Sequence, residues 1–336
     1  MMHSRRHLMA LAGLSAVIPA IGLTSCATMN PAMAPSFTLP MSDGTPLFVR
    51  RWLAVEGAPP KGVVQIIHGA AEHSARYDRF ARNLNRNGWL VYADDHRGHA
   101  NTRVRSKALG DAGPDAWNKF VTDEKELTEY IKQQHPGLKV FLLGHSMGSF
   151  IAQDYAQRYG NATAGVVLSG SNGVLVNPDQ TVAAVRDLAR KDPMGPSPVL
   201  AAAFESFNKP FTGKPGFEWL SRDPAEVEKY AKDPTCGFPF NNELVADFFT
   251  GLRDIWIPAN EQRIPKNLPI YVVSGDQDPV GGNTAGLKVL LANYQRYGLT
   301  DVQHKFYAGA RHEILNETNR EEVERDIIAW LNAKRG

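Results

Sequence analysis

The 336-residue sequence holds only two cysteines, Cys26 and Cys236, so no disulfide framework shapes its fold. Long apolar runs are missing too. The one candidate, Ala10 to Leu23, is short and broken by Pro19, and falls below the length of a membrane span. Charge of one sign is not in excess, the formal net charge being +2. Of the 37 basic side chains only Arg5 and Arg6 lie in the first 25 residues, which hold no acid, so 35 basic groups then face 35 acidic ones. No basic run forms a face, which argues against nucleic acid as a partner. Repeats and low-complexity tracts are absent. With 43% apolar and 21% charged residues, the chain has the make-up of an ordinary folded protein. Its length leaves room for one large α/β domain with an insertion, or for two small domains.

The N-terminus reads as an export segment. Arg5 and Arg6 precede the apolar run, and the pair resembles the twin-arginine signal. Leu23-Thr24-Ser25-Cys26 then resembles the bacterial lipobox, in which the cysteine becomes the lipidated first residue. Residues 1–26 are therefore expected to be a signal peptide ending in a lipidation site at Cys26. Residues 27–36, small and proline-bearing, are expected to be a tether. The expected location is that of an exported bacterial lipoprotein on the periplasmic side of the envelope, held to the membrane by an N-terminal lipid anchor. Ala27, rather than an aspartate, after the cysteine leans towards the outer membrane. Cys236 is then the one remaining thiol, expected to be a small buried apolar residue.

Strand and helix patterns alternate along the remainder. A hairpin signal runs from Phe37 to Leu53 around Ser42-Asp43-Gly44. Short apolar runs at Val63–Ile67, Leu90–Ala93, Val140–Leu143, Gly165–Leu168, Ile270–Val273 and Val302–Phe306 read as strands. Helical periodicity fills Arg76–Asn87, Asp115–Gln134, the stretch after Ser146, and Val323–Leu331. This predicts an α/β fold with a doubly wound, mostly parallel sheet. Residues 172–264 lack clean strand signals and carry aromatics from Phe204 to Trp256 among prolines. A connection of that length predicts a mainly helical cap, inserted into a core of residues 37–171 and 265–336.

The chemistry centres on Gly144-His145-Ser146-Met147-Gly148, which follows a strand and opens a helix. In that setting G-x-S-x-G puts a serine at a strained apex, its hydroxyl clear of the sheet, and makes Ser146 the candidate nucleophile. The alternative, a helix N-cap serine, needs no chemistry. A serine nucleophile requires a base, and the base an orienting acid. Only His304 and His312 follow Ser146. His304 lies within a strand-like run and His312 in the loop after it, so His312 is the candidate base. Ser274-Gly275-Asp276-Gln277-Asp278-Pro279 supplies the acid and offers both Asp276 and Asp278. The unchosen aspartate should bond local turn backbone.

The order serine, aspartate, histidine, with His68-Gly69-Ala70-Ala71-Glu72-His73, Asp95-His96-Arg97-Gly98-His99, GHSMG and Asp223-Pro224, resembles the α/β-hydrolases of the monoglyceride lipase and lysophospholipase branch. Ala100 departs from that branch, where a glycine is usual. The resemblance implies Asp278 as the acid, and the backbone N–H groups of Ala70 and Met147 as oxyanion donors. It implies a serine esterase or lipase acting on monoacylglycerols or lysophospholipids, with no cofactor. An acyltransferase, a proline-type aminopeptidase and a non-catalytic lipid-binding protein are the alternatives. His68, His73, His96 and His99 with Asp94 and Asp95 invite a metal reading. They miss the H-x-x-E-H spacing, and bracing of the loops accounts for them without a metal. His145 reads as packing, and oligomeric state leaves no sequence signal.

Overall fold

The computed structural model describes residues 35–54, 59–211, 213 and 215–336. The signal segment, Cys26 and nearly all of the tether lie outside the described residues. Among those described, no helix is long and apolar enough to cross a membrane.

Among the described residues, eight strands form one sheet. They are β1 (Ser36–Pro40), β2 (Pro46–Trp52), β3 (Gly62–Ile67), β4 (Trp89–Asp95), β5 (Val140–His145), β6 (Val166–Ser169), β7 (Ile270–Gly275) and β8 (Val302–Tyr307). Their spatial order is β1-β2-β4-β3-β5-β6-β7-β8. The β1–β2 hairpin and the β2–β4 pair are antiparallel, and every later pair is parallel. The central strands are buried at every position, as their unbroken apolar runs require when helices cover both faces. Alternation sorts their side chains. Val64, Ile66, Phe141 and Leu143 pack with α1 (Asp78–Arg86) and α10 (Arg320–Lys334), whereas Ile67 and Leu142 pack with α2 (Ala116–Gln134), α3 (Met147–Tyr159) and α9 (Ala285–Arg296). Edge strand β8 exposes Gln303 and His304, in keeping with its mixed sequence.

The sheet's interruption falls between β6 and β7. There the chain forms α4 (Pro178–Lys191), α5 (Pro198–Asn208), α6 (Pro224–Lys232), α7 (Asn242–Ile255) and α8 (Pro258–Glu261). The prolines that obscure periodicity in the sequence are start signals here, because α4, α5, α6 and α8 each carry one in the first turn. Ser197, Asp223 and Asn241 cap three of the five helices with their side chains.

Candidate active site

Ser146 sits between β5 and α3 with φ 52° and ψ −122°, a conformation that a non-glycine residue holds only when its surroundings enforce it. Two glycines make the turn possible. A Cβ on Gly148 would stand 2.0 Å from the Ile67 carbonyl oxygen, and one on Gly144 would stand 2.3 Å from that of Gly148. The Ser146 N–H donates to the Ser169 carbonyl at 2.9 Å, which ties the apex to the neighbouring strand end.

His312 follows β8 and is buried. Its Nδ1 lies 3.0 Å from both carboxylate oxygens of Asp278. Asp278 is fully buried and also accepts from Ser274 Oγ at 3.0 Å and from the Val280 N–H at 2.9 Å. A carboxylate accepts only, so Nδ1 carries the proton and Nε2 keeps its lone pair. The His312 ring is wedged between His145, 4.7 Å away, and Trp219, 4.9 Å away, centroid to centroid. Ser146 and His312 line one small chamber together. Asp276 does something other than the expected local turn bond. Its Oδ1 accepts the Gly309 N–H at 2.8 Å, bracing the loop that carries His312 from 33 residues away. His304 stays on the exposed edge strand.

The loop after β3 places Ala70 opposite the serine. Its flanking amides are both engaged: the Gly69 N–H donates to Glu72 Oε1 at 2.5 Å, and the Ala71 N–H to His99 Nε2 at 3.2 Å. Ala70 and Met147 border the same cavity as Ser146, with Met147 opening α3, where helix N–H groups lack internal partners. Behind the loop, Glu72 also accepts from the Tyr77 hydroxyl at 2.9 Å and from Arg76 Nη1 at 2.5 Å. Arg76 then reaches both oxygens of Glu313 at 2.7 Å. One guanidinium thus ties the Ala70 loop to the His312 loop, a link the sequence reading missed. Burial pushes the Glu313 carboxyl up, but Arg76 outweighs it and holds the group at about 2.

The histidines singled out in sequence have separate fates. His68 and His96 stack at 3.8 Å, and the His68 ring accepts the His96 N–H at 3.0 Å. Burial drives His68 well below its ordinary pKa, and takes His99 to about 3 and His145 to about 4. Neutral His99 can therefore accept from Ala71 while donating from Nδ1 to the Arg97 carbonyl at 3.1 Å. His73 turns away from the other three and meets Asp233 of the cap. Asp95 accepts from the Ser74 N–H and Oγ, and Asp94 pairs with His96. Cys236 is half-buried beside His73 and Asp233, not fully buried as expected, because it follows α6 at the cap's margin.

Above Ser146 lies a largely apolar cavity of about 210 Å³. Its walls are Phe150 of the core with Phe204, Trp219, Phe248, Phe249 and Trp256 of the insertion. Phe207 lines it as well, whereas Phe238 and Phe240 bear on the His99 ring and Phe217 on Tyr230.

A mostly parallel sheet with a helical insertion after β6 and a strained serine after β5 is the architecture of α/β-hydrolases. Residues 58–319 match the family model described as serine aminopeptidase, S33. The chain is 33% identical over 279 residues to monoacylglycerol lipase of Mycolicibacterium smegmatis, spanning 81% of this chain and 88% of that protein. It is 31% identical over 299 residues to monoglyceride lipase of Homo sapiens, spanning 87% and 89%. A thermostable carboxyl esterase from Bacillus coagulans, solved in complex with glycerol, superposes with a TM-score of 0.80 at 32% identity, covering 90% of this chain and 98% of that one. The chain belongs to the serine aminopeptidase S33 family of α/β-hydrolases, in its monoglyceride lipase-like branch.

Proposed function

We propose that the protein hydrolyses carboxylic esters of single-acyl lipids, monoacylglycerols or lysophospholipids, through an acyl-enzyme formed on Ser146. The observation that carries this reading is the junction of chemistry and shape: Ser146, Ala70 and Met147 border a cavity whose other lining side chains, Asn172 apart, are apolar. Such a cavity suits one acyl chain, with the ester carbonyl at its polar end. The relatives named monoacylglycerol and monoglyceride lipase support the same substrate class.

The steps follow from the arrangement. Ser146 Oγ attacks the ester carbonyl while His312 Nε2 takes its proton. Asp278 holds Nδ1–H and stabilises the imidazolium that forms. The Ala70 and Met147 N–H groups receive the oxyanion, each such donor contributing on the order of 3 kcal/mol. Collapse expels the alcohol, which takes the proton from His312. Water repeats the sequence on the acyl-enzyme and releases the fatty acid. The anchor at Cys26 belongs to the proposal as well, supported by the lipobox-like stretch and the apolar run before it. It would hold the domain at the membrane face where such lipids reside.

The test is turnover of 1-monoacylglycerol, lysophospholipid, a short p-nitrophenyl ester and a peptide amide by wild type and Ser146→Ala. Ester hydrolysis lost in the variant supports the reading, whereas activity surviving Ser146→Ala, or on the amide alone, overturns it. Added alcohol distinguishes transfer from hydrolysis by its ester product. Incorporation of labelled palmitate into wild type but not Cys26→Ser tests the anchor.

A further inference from the structure

At the margin of the cap, away from Ser146, three side chains with metal-binding atoms converge from two distant parts of the chain. His73 ends the Ala70 loop, Asp233 closes α6, and Cys236 follows three residues later. His73 Nε2 lies 3.0 Å from Asp233 Oδ2. The other oxygen, Oδ1, is held by the Thr235 N–H at 2.7 Å and the Thr235 hydroxyl at 2.5 Å, so the carboxylate is fixed with Oδ2 towards the histidine. One ligand atom from each of His73, Asp233 and Cys236 lies within 4.8 Å of the others. A tetrahedral zinc with bonds of about 2.0 to 2.3 Å needs ligand atoms roughly 3.3 to 3.8 Å apart, so small side-chain adjustments close the set.

Access favours a ligand from solvent. All three residues are partly exposed, and His73 and Asp233 line an open surface groove from which water can fill a fourth position.

We propose that His73, Asp233 and Cys236 form a site for one thiophilic divalent cation of the Zn²⁺ class. Binding exchanges the thiol proton for the metal: Sγ–H releases one proton, the Sγ–metal bond forms, and imidazole and carboxylate complete three protein ligands. Affinity therefore rises with pH. An occupied site fastens the loop carrying Ala70 to α6 of the cap, across 160 residues of sequence. The proposal goes beyond the hydrolase reading and does not depend on it.

Co²⁺ is the probe, added to the purified metal-free protein. One equivalent should produce a sulfur-to-cobalt charge-transfer band in the near ultraviolet, displaced by Zn²⁺. Cys236→Ser should abolish the band, and His73→Ala should weaken binding by about tenfold or more. At saturating Zn²⁺ the wild type should melt roughly 5 °C higher, and Cys236→Ser should show no such rise. Circular dichroism establishes that both variants are folded. A folded wild type without the band overturns the proposal. So does a Zn²⁺ shift that persists undiminished in the folded variants, since the metal would then be bound elsewhere.

Discussion

Asp276 and Asp278 are two residues apart in one turn, and exchanging each for asparagine separates their roles sharply. Asp278 is fully buried and meets His312 Nδ1 with both oxygens at 3.0 Å. Asparagine there keeps the size but loses the charge that offsets the imidazolium, and its amide offers hydrogen to a nitrogen that must itself carry one. The ring then favours the other tautomer, with the proton on Nε2 where the serine's proton has to go. In a serine protease with this arrangement, the matching change cost about 10⁴ in kcat, on the order of 5.5 kcal/mol of transition-state stabilisation. A similar loss is expected for Asp278→Asn. Asp276→Asn still presents an oxygen to the Gly309 N–H, so a change of no more than about threefold is expected, within the worth of one neutral hydrogen bond. Steady-state hydrolysis of a p-nitrophenyl ester gives kcat for both, and a fluorophosphonate probe reports how fast Ser146 reacts. Losses of equal size, or a larger loss for Asp276→Asn, would refute the assignment of the acid.

Two further perturbations follow from buried charge. Burial, and then the neighbouring Asp94, raise the Glu124 carboxyl of α2 well above its ordinary value, and Asp94 Oδ1 and Glu124 Oε1 have no hydrogen-bond partner among the described residues. A carboxyl whose pKa is raised on folding binds its proton more tightly in the native state, so it costs stability as pH climbs above the unfolded value of 4.5. Glu124→Gln cannot ionise and can still donate to Asp94, so its advantage over wild type should grow with pH by up to about 1.4 kcal/mol per unit until the native pKa is passed. Urea midpoints at several pH values check this, and parallel pH dependences would refute it. Arg76→Ala strands Glu72 and Glu313 and should cost about 3 to 5 kcal/mol at neutral pH. Glu313 has a lowered pKa, so the wild type's advantage exists above pH 4.5 and fades as pH falls towards about 2. A loss in Arg76→Ala that is constant across that range would rule this account out.

What was legible in the sequence is what local chemistry determines. The runs at Val63–Ile67 and Val140–Leu143 could hardly be anything but buried strands, and each occupies the centre of the sheet. His312 separated from His304 because a base belongs in a loop beyond a strand, and His304 does lie on the exposed edge. Asp276 and Asp278 could not be told apart by turn chemistry, since the distinction lies in which way each points when β7 ends. The link from Glu72 through Arg76 to Glu313 spans 237 residues between Arg76 and Glu313. Its only local signal was an acid and an arginine four apart, a pattern ordinary on any helix surface. The Asp94–Glu124 pair was hidden in the same way: Asp94 was grouped with the nearby histidines as a loop brace, and nothing local marked Glu124, 30 residues on, as its neighbour. Burial reverses that reading, and burial is a tertiary fact.

The insertion does more than cover the serine. The His312 N–H donates to the carbonyl of Trp219 at 3.3 Å and the Glu313 N–H to that of Leu220 at 2.7 Å, so the His312 loop rests on cap backbone. On the opposite side, the Ala71 carbonyl accepts from the Gly237 N–H at 2.9 Å and from the Tyr230 hydroxyl at 3.0 Å, so the Ala70 loop rests on it too. Of these four bonds, one is made by His312 itself and the other three by residues next to His312 or Ala70, groups that the proposed chemistry requires to be in place. The half of the cap around α6 is therefore part of the machinery and has to stay seated during turnover. The cavity reaches the surface beside the start of α4. Val174 both lines the cavity and is 41% exposed there, with Val176 beside it at 73%. Val174 shares that cavity with Phe204, Trp219 and Ser146, so the same insertion that seats the catalytic loops also walls the space beside the nucleophile.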